Sequence, residues 1–190
     1  MPLLRHVTRL LGAFFLIAGV SPALADDEPG TRTVAATIAA PLPTPAAAAS
    51  PKTLFASLAA AVAAQDGTAS DEHLRCLAGA VYFESQGQPL AGQFAVARVI
   101  LNRIRSGRFA SSVCGVVLQR GQFGFVRGGA IPAIDATRSA YRTAIAVAKV
   151  ALTEAWTTTT AGGALYFNGV RARRVGGQRI AVIGGHAFYR

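Results

Sequence analysis

The segment from Leu77 to Gly87 reads Leu-Ala-Gly-Ala-Val-Tyr-Phe-Glu-Ser-Gln-Gly, and its Glu84 is the only acidic residue between His73 and Ile134. An ionised, unpaired carboxylate in apolar surroundings is costly, so burial favours the neutral form. A carboxyl group that keeps its proton near neutral pH is what a general acid requires. The alternative is a glutamate at a helix end that simply reaches water. From residue 70 onward the other carboxylates are Asp71, Glu72, Asp135 and Glu154. Asp71 and Glu72 suit a helix start, where the dipole favours negative charge, and Asp135 suits a helix cap. Glu154 falls near a helix end with no obvious partner. Glu84 alone has no structural account. Glycoside cleavage usually uses two carboxylates. One good candidate fits the exceptions, in which the substrate supplies the second group.

Other chemistries find less support. A catalytic zinc usually needs three protein ligands. Beyond its first 25 residues the chain has two histidines, His73 and His186, and no His-x-x-x-His spacing. A zinc amidase would have to combine scattered ligands such as His73, His186 and Glu84, so no metal or other cofactor is expected. No Gly-x-Ser-x-Gly and no Ser-x-x-Lys occurs in the folded unit. The glycine-rich stretch 121–132 follows no strand, and Phe123, Phe125 and Arg127 interrupt it, which suits stacking on sugar rings better than cradling phosphate. An ordinary loop is the other reading. Cys76 and Cys114 are the only cysteines. In an exported chain two thiols fit a disulfide; a nucleophilic cysteine with His186 as its base is the alternative.

The elements that must position these groups are mainly helices. Leu74, Leu77, Ala78, Val81 and Tyr82 recur at helical spacing, which predicts a helix from the caps Ser70 or Asp71 to about Ser85. Gly87 and Pro89 stop it. A second helix is expected over 90–106 with Phe94, Ala97, Ile100, Leu101 and Ile104 inside and Arg98, Asn102 and Arg105 near the other side. Residues 111–119 are apolar but of ambiguous type. Asp135 is expected to cap a helix over 136–155 that buries Tyr141, Ile145, Ala148 and Leu152. Residues 164–168 and 180–183 read as short strands. The expected class is α+β, mostly helical, with a small β element near the C-terminus.

Around this unit, over 70–190, the chain has two further parts. Residues 1–25 read as a cleaved signal peptide: Arg5 and Arg9, an apolar run from Leu10 to Val20, then Ala23-Leu24-Ala25. The run is too short to span a bilayer, so no stable membrane span is expected after cleavage. Residues 26–69 are a Pro/Ala-rich linker, with a possible short helix over 52–64 that either packs on the domain or stays loose. The formal net charge is +10, and loss of the leader with its two arginines leaves +8. Export makes nucleic acid an unsuitable partner for that charge. The carboxylate-bearing cell wall suits it, in a periplasmic or wall-associated protein expected to be monomeric.

The run Ala80-Val81-Tyr82-Phe83-Glu84-Ser85-Gln86-Gly87-Gln88-Pro89-Leu90-Ala91-Gly92-Gln93 resembles the opening motif of cell wall hydrolases related to the spore cortex-lytic enzyme SleB. The resemblance continues through Ala95 to Arg103, Val113 to Val117, Gln119 to Phe123, Ala164 to Phe167 and Ile183 to Arg190, and so covers nearly all of 74–190 in order. It implies a lysozyme-like catalytic domain acting on peptidoglycan glycan strands between N-acetylmuramic acid and N-acetylglucosamine, as a lytic transglycosylase or a muramidase. The family's catalytic general acid maps to Glu84. By motif position and by their amide or aromatic chemistry, Gln122, Phe123, Tyr166 and Asn168 are candidate sugar-contacting residues. Tyr82 and Phe83 are candidates for keeping the carboxyl dry. The chain departs from the family's pattern at Asn168, where many relatives carry His, at Gln88, where an acid is common, and at Gly124, where Ser is common. The alternatives are a non-catalytic peptidoglycan-binding module and an N-acetylmuramoyl-L-alanine amidase; the scarcity of metal ligands argues against the second.

Overall fold

The computed structural model describes residues 55–173 and 176–190. The expected signal peptide over 1–25, and residues 26–54 of the expected linker, lie outside the described residues. Among those described, no helix is long and apolar enough to cross a membrane.

Among the described residues, five helices precede three short strands. Helix α1, Leu58–Ala63, starts where the Ser57 side chain accepts from the Ala60 amide. It packs against the helices Leu90–Arg105 and Ser139–Thr153 with Leu58, Ala61 and Val62 buried, so the short helix joins the domain. Helix α2 is Glu72–Ser85, with Asp71 as its cap: Oδ1 accepts from the Leu74 amide at 2.9 Å. Helix α3 is Leu90–Arg105 behind Pro89, a residue suited to a helix start because it lacks an amide donor. The ambiguous 111–119 segment forms helix α4, Val113–Leu118, because the Ser112 hydroxyl caps it at the Gly115 amide.

Helix α5 is Ser139–Thr153, shorter than expected at its start. Asp135 does not cap it. Its Oδ1 instead accepts from both the amide and the hydroxyl of Thr137, closing a local turn. Arg138 then stays extended at ψ 124° before the helix begins. Leu152, expected inside, is 38% exposed, whereas Tyr141, Ile145 and Ala148 are buried.

The β element is one antiparallel sheet in the order β1-β3-β2, built from β1 Tyr166–Gly169, β2 Arg179–Ile183 and β3 His186–Tyr189. Tyr166 pairs with Tyr189 and Gly169 with His186. The fold class is therefore α+β and mostly helical, with its β element at the C-terminal end. The turn between β2 and β3 uses Gly184 at φ 57° and Gly185. A side chain at 184 would also crowd the Gln88 amide and the Pro89 ring.

Helix α2 lies at the centre, against α3, α4 and α5, with Leu77, Ala78, Ala80 and Val81 fully buried. Helix α3 buries two sides. Phe94, Ala97, Ile100 and Leu101 face the helical core, while Ala95, Val96 and Val99 meet Phe188 and Ala164 in a second cluster beside the sheet. A helix with an apolar face this wide suits such a sandwiched position, with Arg98, Asn102 and Arg105 left on the remaining side. A disulfide between Cys76 and Cys114 ties α2 to α4. With the thiol consumed, the cysteine-nucleophile alternative is set aside.

Candidate active site

Glu84 occupies the last turn of α2, followed by Ser85, whose hydroxyl donates to the Val81 carbonyl at 2.6 Å. The helix ends because Gln86 turns extended (ψ 138°) and Gly87 is left-handed at φ 80°. A Cβ at 87 would meet nothing, so glycine is needed there for its backbone angle and not for space.

The Glu84 side chain is half-buried. No described residue gives its carboxylate a hydrogen bond or an ion pair within 4.0 Å; the ion pairs are Arg98–Glu154, Arg105–Glu154 and Lys149–Asp66. Burial pushes its pKa above the usual 4.5, and the Arg103 guanidinium nearby pulls in the opposite direction without cancelling the effect. The C-terminal end of a helix carries partial negative charge and also disfavours an added anion there.

The surroundings are aromatic. Phe83 stacks on Phe125 with ring centroids 4.8 Å apart and planes 16° apart. Phe125 in turn meets Phe123 at 5.6 Å. Tyr82 turns away into the core, edge-on to Tyr141 at 5.7 Å. Of the two rings expected to keep the carboxyl dry, Phe83 is the one placed among the aromatic residues of the 119–130 loop.

Arg103 was not singled out by the sequence reading. It lies in the last turn of α3, and its side chain is buried, with only 5% exposed. Its Nε donates to the Leu165 carbonyl at 2.8 Å. Its guanidinium carbon sits 5.0 Å from the Phe109 ring centroid, 5.4 Å from that of Phe123 and 5.9 Å from that of Tyr166. Cation–π contact of this kind compensates part of the cost of burying the charge. Nη1 is buried without a partner among the described residues. The available signal was the stripe Val96, Val99, Ile100, Arg103, which carries a cation onto a buried helix side.

The four candidate sugar contacts have different fates. Gln122 and Tyr166 are partly exposed, and the Tyr166 hydroxyl accepts from Arg108 Nη2 at 3.2 Å. Phe123 is only 6% exposed. It borders a cavity of about 330 Å³ together with Leu118, Arg120, Gly121, Val126, Gly128 and Gly129, but most of its ring packs in the core. The ring is taken up by the Arg103 cage. Asn168 is occupied locally: Nδ2 donates to the Arg173 carbonyl at 2.6 Å, while Oδ1 is buried without a described partner. It holds the turn after β1.

Gln88 also has a definite job. Its Oε1 accepts from the Gly185 amide at 2.6 Å, and its own carbonyl accepts from Gln93 Nε2 at 2.9 Å. It therefore pins the start of α3 to the β2–β3 turn. His73 and Glu84 stand near opposite ends of α2, about 16 Å apart along the axis, too far to share one ion. His186 packs edge-on to Phe167 at 5.4 Å, and burial lowers its pKa. Among the described residues no group of three His, Cys, Asp or Glu side chains converges on one point.

Comparison with known proteins adds three findings. Residues 87–189 match a protein family described as Cell Wall Hydrolase; the matched segment begins just after Glu84. The chain is 40% identical over 101 residues to a spore cortex-lytic enzyme of Bacillus cereus (strain ATCC 14579), covering 52% of this chain and 35% of that protein. It is 44% identical over 72 residues to the spore cortex-lytic enzyme of Bacillus subtilis (strain 168), covering 38% of this chain and 24% of that one. The match thus spans about a third or less of these relatives. Among solved structures, the catalytic domain of the germination-specific lytic transglycosylase SleB from Bacillus anthracis superposes with a TM-score of 0.52 at 32% identity, covering 64% of this chain and 97% of that domain.

Proposed function

Because this chain belongs to the cell wall hydrolase family, we propose that its folded unit cleaves the glycan strand of peptidoglycan with Glu84 as the general acid. The observation that carries the reading is the state of that carboxyl. It is half-buried, has no hydrogen-bond or ion-pair partner among the described residues, and holds its proton more tightly than an ordinary glutamate.

In the proposed reaction Glu84 donates its proton to the oxygen joining N-acetylmuramic acid to N-acetylglucosamine, and the bond from that oxygen to the anomeric carbon breaks. The primary hydroxyl of the same muramic acid then attacks the anomeric carbon, and its proton passes to the Glu84 carboxylate. The products are a 1,6-anhydro-muramic end and a free N-acetylglucosamine end; no water is consumed and Glu84 is regenerated. Arg103 supports the first step, since a nearby fixed cation stabilises the carboxylate that proton donation leaves behind. Substrate self-attack also explains how one carboxylate suffices. Gln122 and Tyr166 remain the exposed candidates for sugar contact. The reading places the protein outside the cytoplasm with the cell wall as its partner, and it requires no metal.

Mass spectrometry of sacculi digested with the purified protein tests this. Anhydro-muramic ends support the transglycosylase, and reducing ends formed with water would make it a muramidase. Intact strands that nevertheless retain the protein would leave only a binding module. Released stem peptides would point to an amidase.

A further inference from the structure

Two arginines outside the carboxyl site, without an acidic partner among the described residues, border the same basin. Arg108 Nη2 donates to the Tyr166 hydroxyl at 3.2 Å, and Arg190 Nη2 donates to the Gly162 carbonyl at 3.1 Å. Both side chains are exposed, and neither forms an ion pair with a described carboxylate. Together with Tyr166, Gly176 and Gly177 they line one open basin of about 420 Å³. Tyr166 is shared with the carboxyl site, because its ring also borders Arg103 at 5.9 Å.

Each guanidinium has five N–H donors and no acceptor. One neutral hydrogen bond fixes each head group and leaves its other donors open. Two cationic side chains bordering one basin favour an anionic over a neutral occupant. A planar carboxylate matches the guanidinium fork, with charge-assisted bonds stronger than neutral ones. A neutral sugar ring needs no such pair.

We propose that the basin between Arg108 and Arg190 is a carboxylate-binding subsite for the anionic side groups of the glycan substrate. The inference rests on the glycan reading above and extends the site past Tyr166. In peptidoglycan the carboxylate has two sources: the stem peptides, or the lactyl group of muramic acid once a peptide has been removed.

The test is co-sedimentation of the full chain carrying Glu84→Gln, which reads binding without turnover. Three substrates are compared: intact sacculi, sacculi whose carboxylates have been amidated with carbodiimide and ammonia, and strands stripped of peptides by an amidase. Binding to intact sacculi is expected to be about tenfold tighter than to amidated sacculi. Adding Arg108→Gln and Arg190→Gln should remove that difference and leave binding to amidated sacculi within about twofold. Arg108→Lys with Arg190→Lys should keep part of the preference and, with an unchanged far-ultraviolet circular dichroism spectrum, report on folding. A loss confined to intact sacculi assigns the stem-peptide carboxylates; a loss on stripped strands as well assigns the lactyl group. The proposal is overturned if the Gln pair weakens binding to intact and amidated sacculi equally, if it has no effect, or if Arg138→Gln with Arg142→Gln on the distant exposed start of α5 gives the same loss. Failure of the catalytic reading would show separately, as no cleavage product from the unsubstituted protein.

Discussion

The Arg103 guanidinium lies within electrostatic reach of the Glu84 carboxyl without forming an ion pair with it. The arginine is held from behind by the Leu165 carbonyl and by three aromatic rings. A direct salt bridge would lock the glutamate in its charged form and leave no acid to donate. A glutamate with no cation nearby would hold its proton too tightly and form a poor carboxylate after giving it up. The spacing lies between these limits.

The first consequence concerns activity. Glu84→Gln keeps the side-chain shape and removes the transferable proton. Release of muropeptides should fall about a hundred- to ten-thousandfold while the near-ultraviolet circular dichroism stays the same. A normal rate of release would disprove the assignment.

The same substitution has a thermodynamic signature. The folded-state pKa of Glu84 is raised above its unfolded value. Between the two values the native state binds more protons than the unfolded one, so stability declines as pH rises through this window and then levels off. Glutamine carries no such penalty. Glu84→Gln should therefore have a higher Tm than the parent at pH 7, and the gap should close below about pH 4, where the carboxyl is protonated in both states. Differential scanning calorimetry at several pH values measures it. A gap that widened towards acid would mean that the pKa is depressed in the native state.

Arg103→Met removes the cation and keeps most of the apolar stem. The influence of Arg103 on Glu84 is to lower its pKa, so its loss should move the alkaline limb of the kcat/KM profile to higher pH. The maximal rate should fall at the same time, because the carboxylate formed on proton donation loses its stabilising charge. Arg103→Lys should restore part of both effects. A fall in rate with an unmoved limb would assign Arg103 a purely structural part.

Much of this was legible in the chain. The α2 and α3 stretches carry strong helical periodicity bounded by Asp71, Gly87 and Pro89, and those boundaries are local chemistry that a sequence displays. The disulfide followed from two cysteines in a chain whose leader reads as an export signal. Glu84 stood out because apolar residues surround it. What stayed hidden depends on tertiary partners. Arg103 is buried because the nearby Phe109 and the sequence-distant Phe123 and Tyr166 fold over it. Glu154 looked unpartnered because Arg98 and Arg105 reach it from another helix. Asp135 was misread because the Thr137 hydroxyl and amide, two residues away, compete for the same carboxylate as the helix start. The burial of Phe123 stayed hidden because loop composition does not say which of its aromatics turns inward.

Residues Cys76 and Cys114 are 38 apart in sequence, and their bond closes that loop between α2 and α4. Cross-linking a loop of that size restricts the unfolded chain by about 4 kcal/mol. In a domain of this size that corresponds to roughly 15 °C in Tm. Cys76→Ser with Cys114→Ser should lose about that much. Reduction of the parent protein should reproduce it. Because α2 carries Glu84 at its far end, activity at low temperature should survive once the protein is folded.

Gln88 provides the last test, since it stands where the family resemblance leads one to expect an acid, and a second catalytic carboxylate would change the mechanism. Here its Oε1 accepts the Gly185 amide and joins the start of α3 to the β2–β3 turn. A glutamate could accept the same hydrogen bond, so Gln88→Glu should keep its Tm within a few degrees. Gln88→Ala leaves that part-buried amide unsatisfied and should cost about 1–3 kcal/mol. If position 88 is only this strut, Gln88→Glu should leave the product pattern unchanged, with anhydro ends still dominant in the digest. A switch to water-added reducing ends would show that a carboxylate placed here activates water, and that the lone-glutamate mechanism depends on its absence.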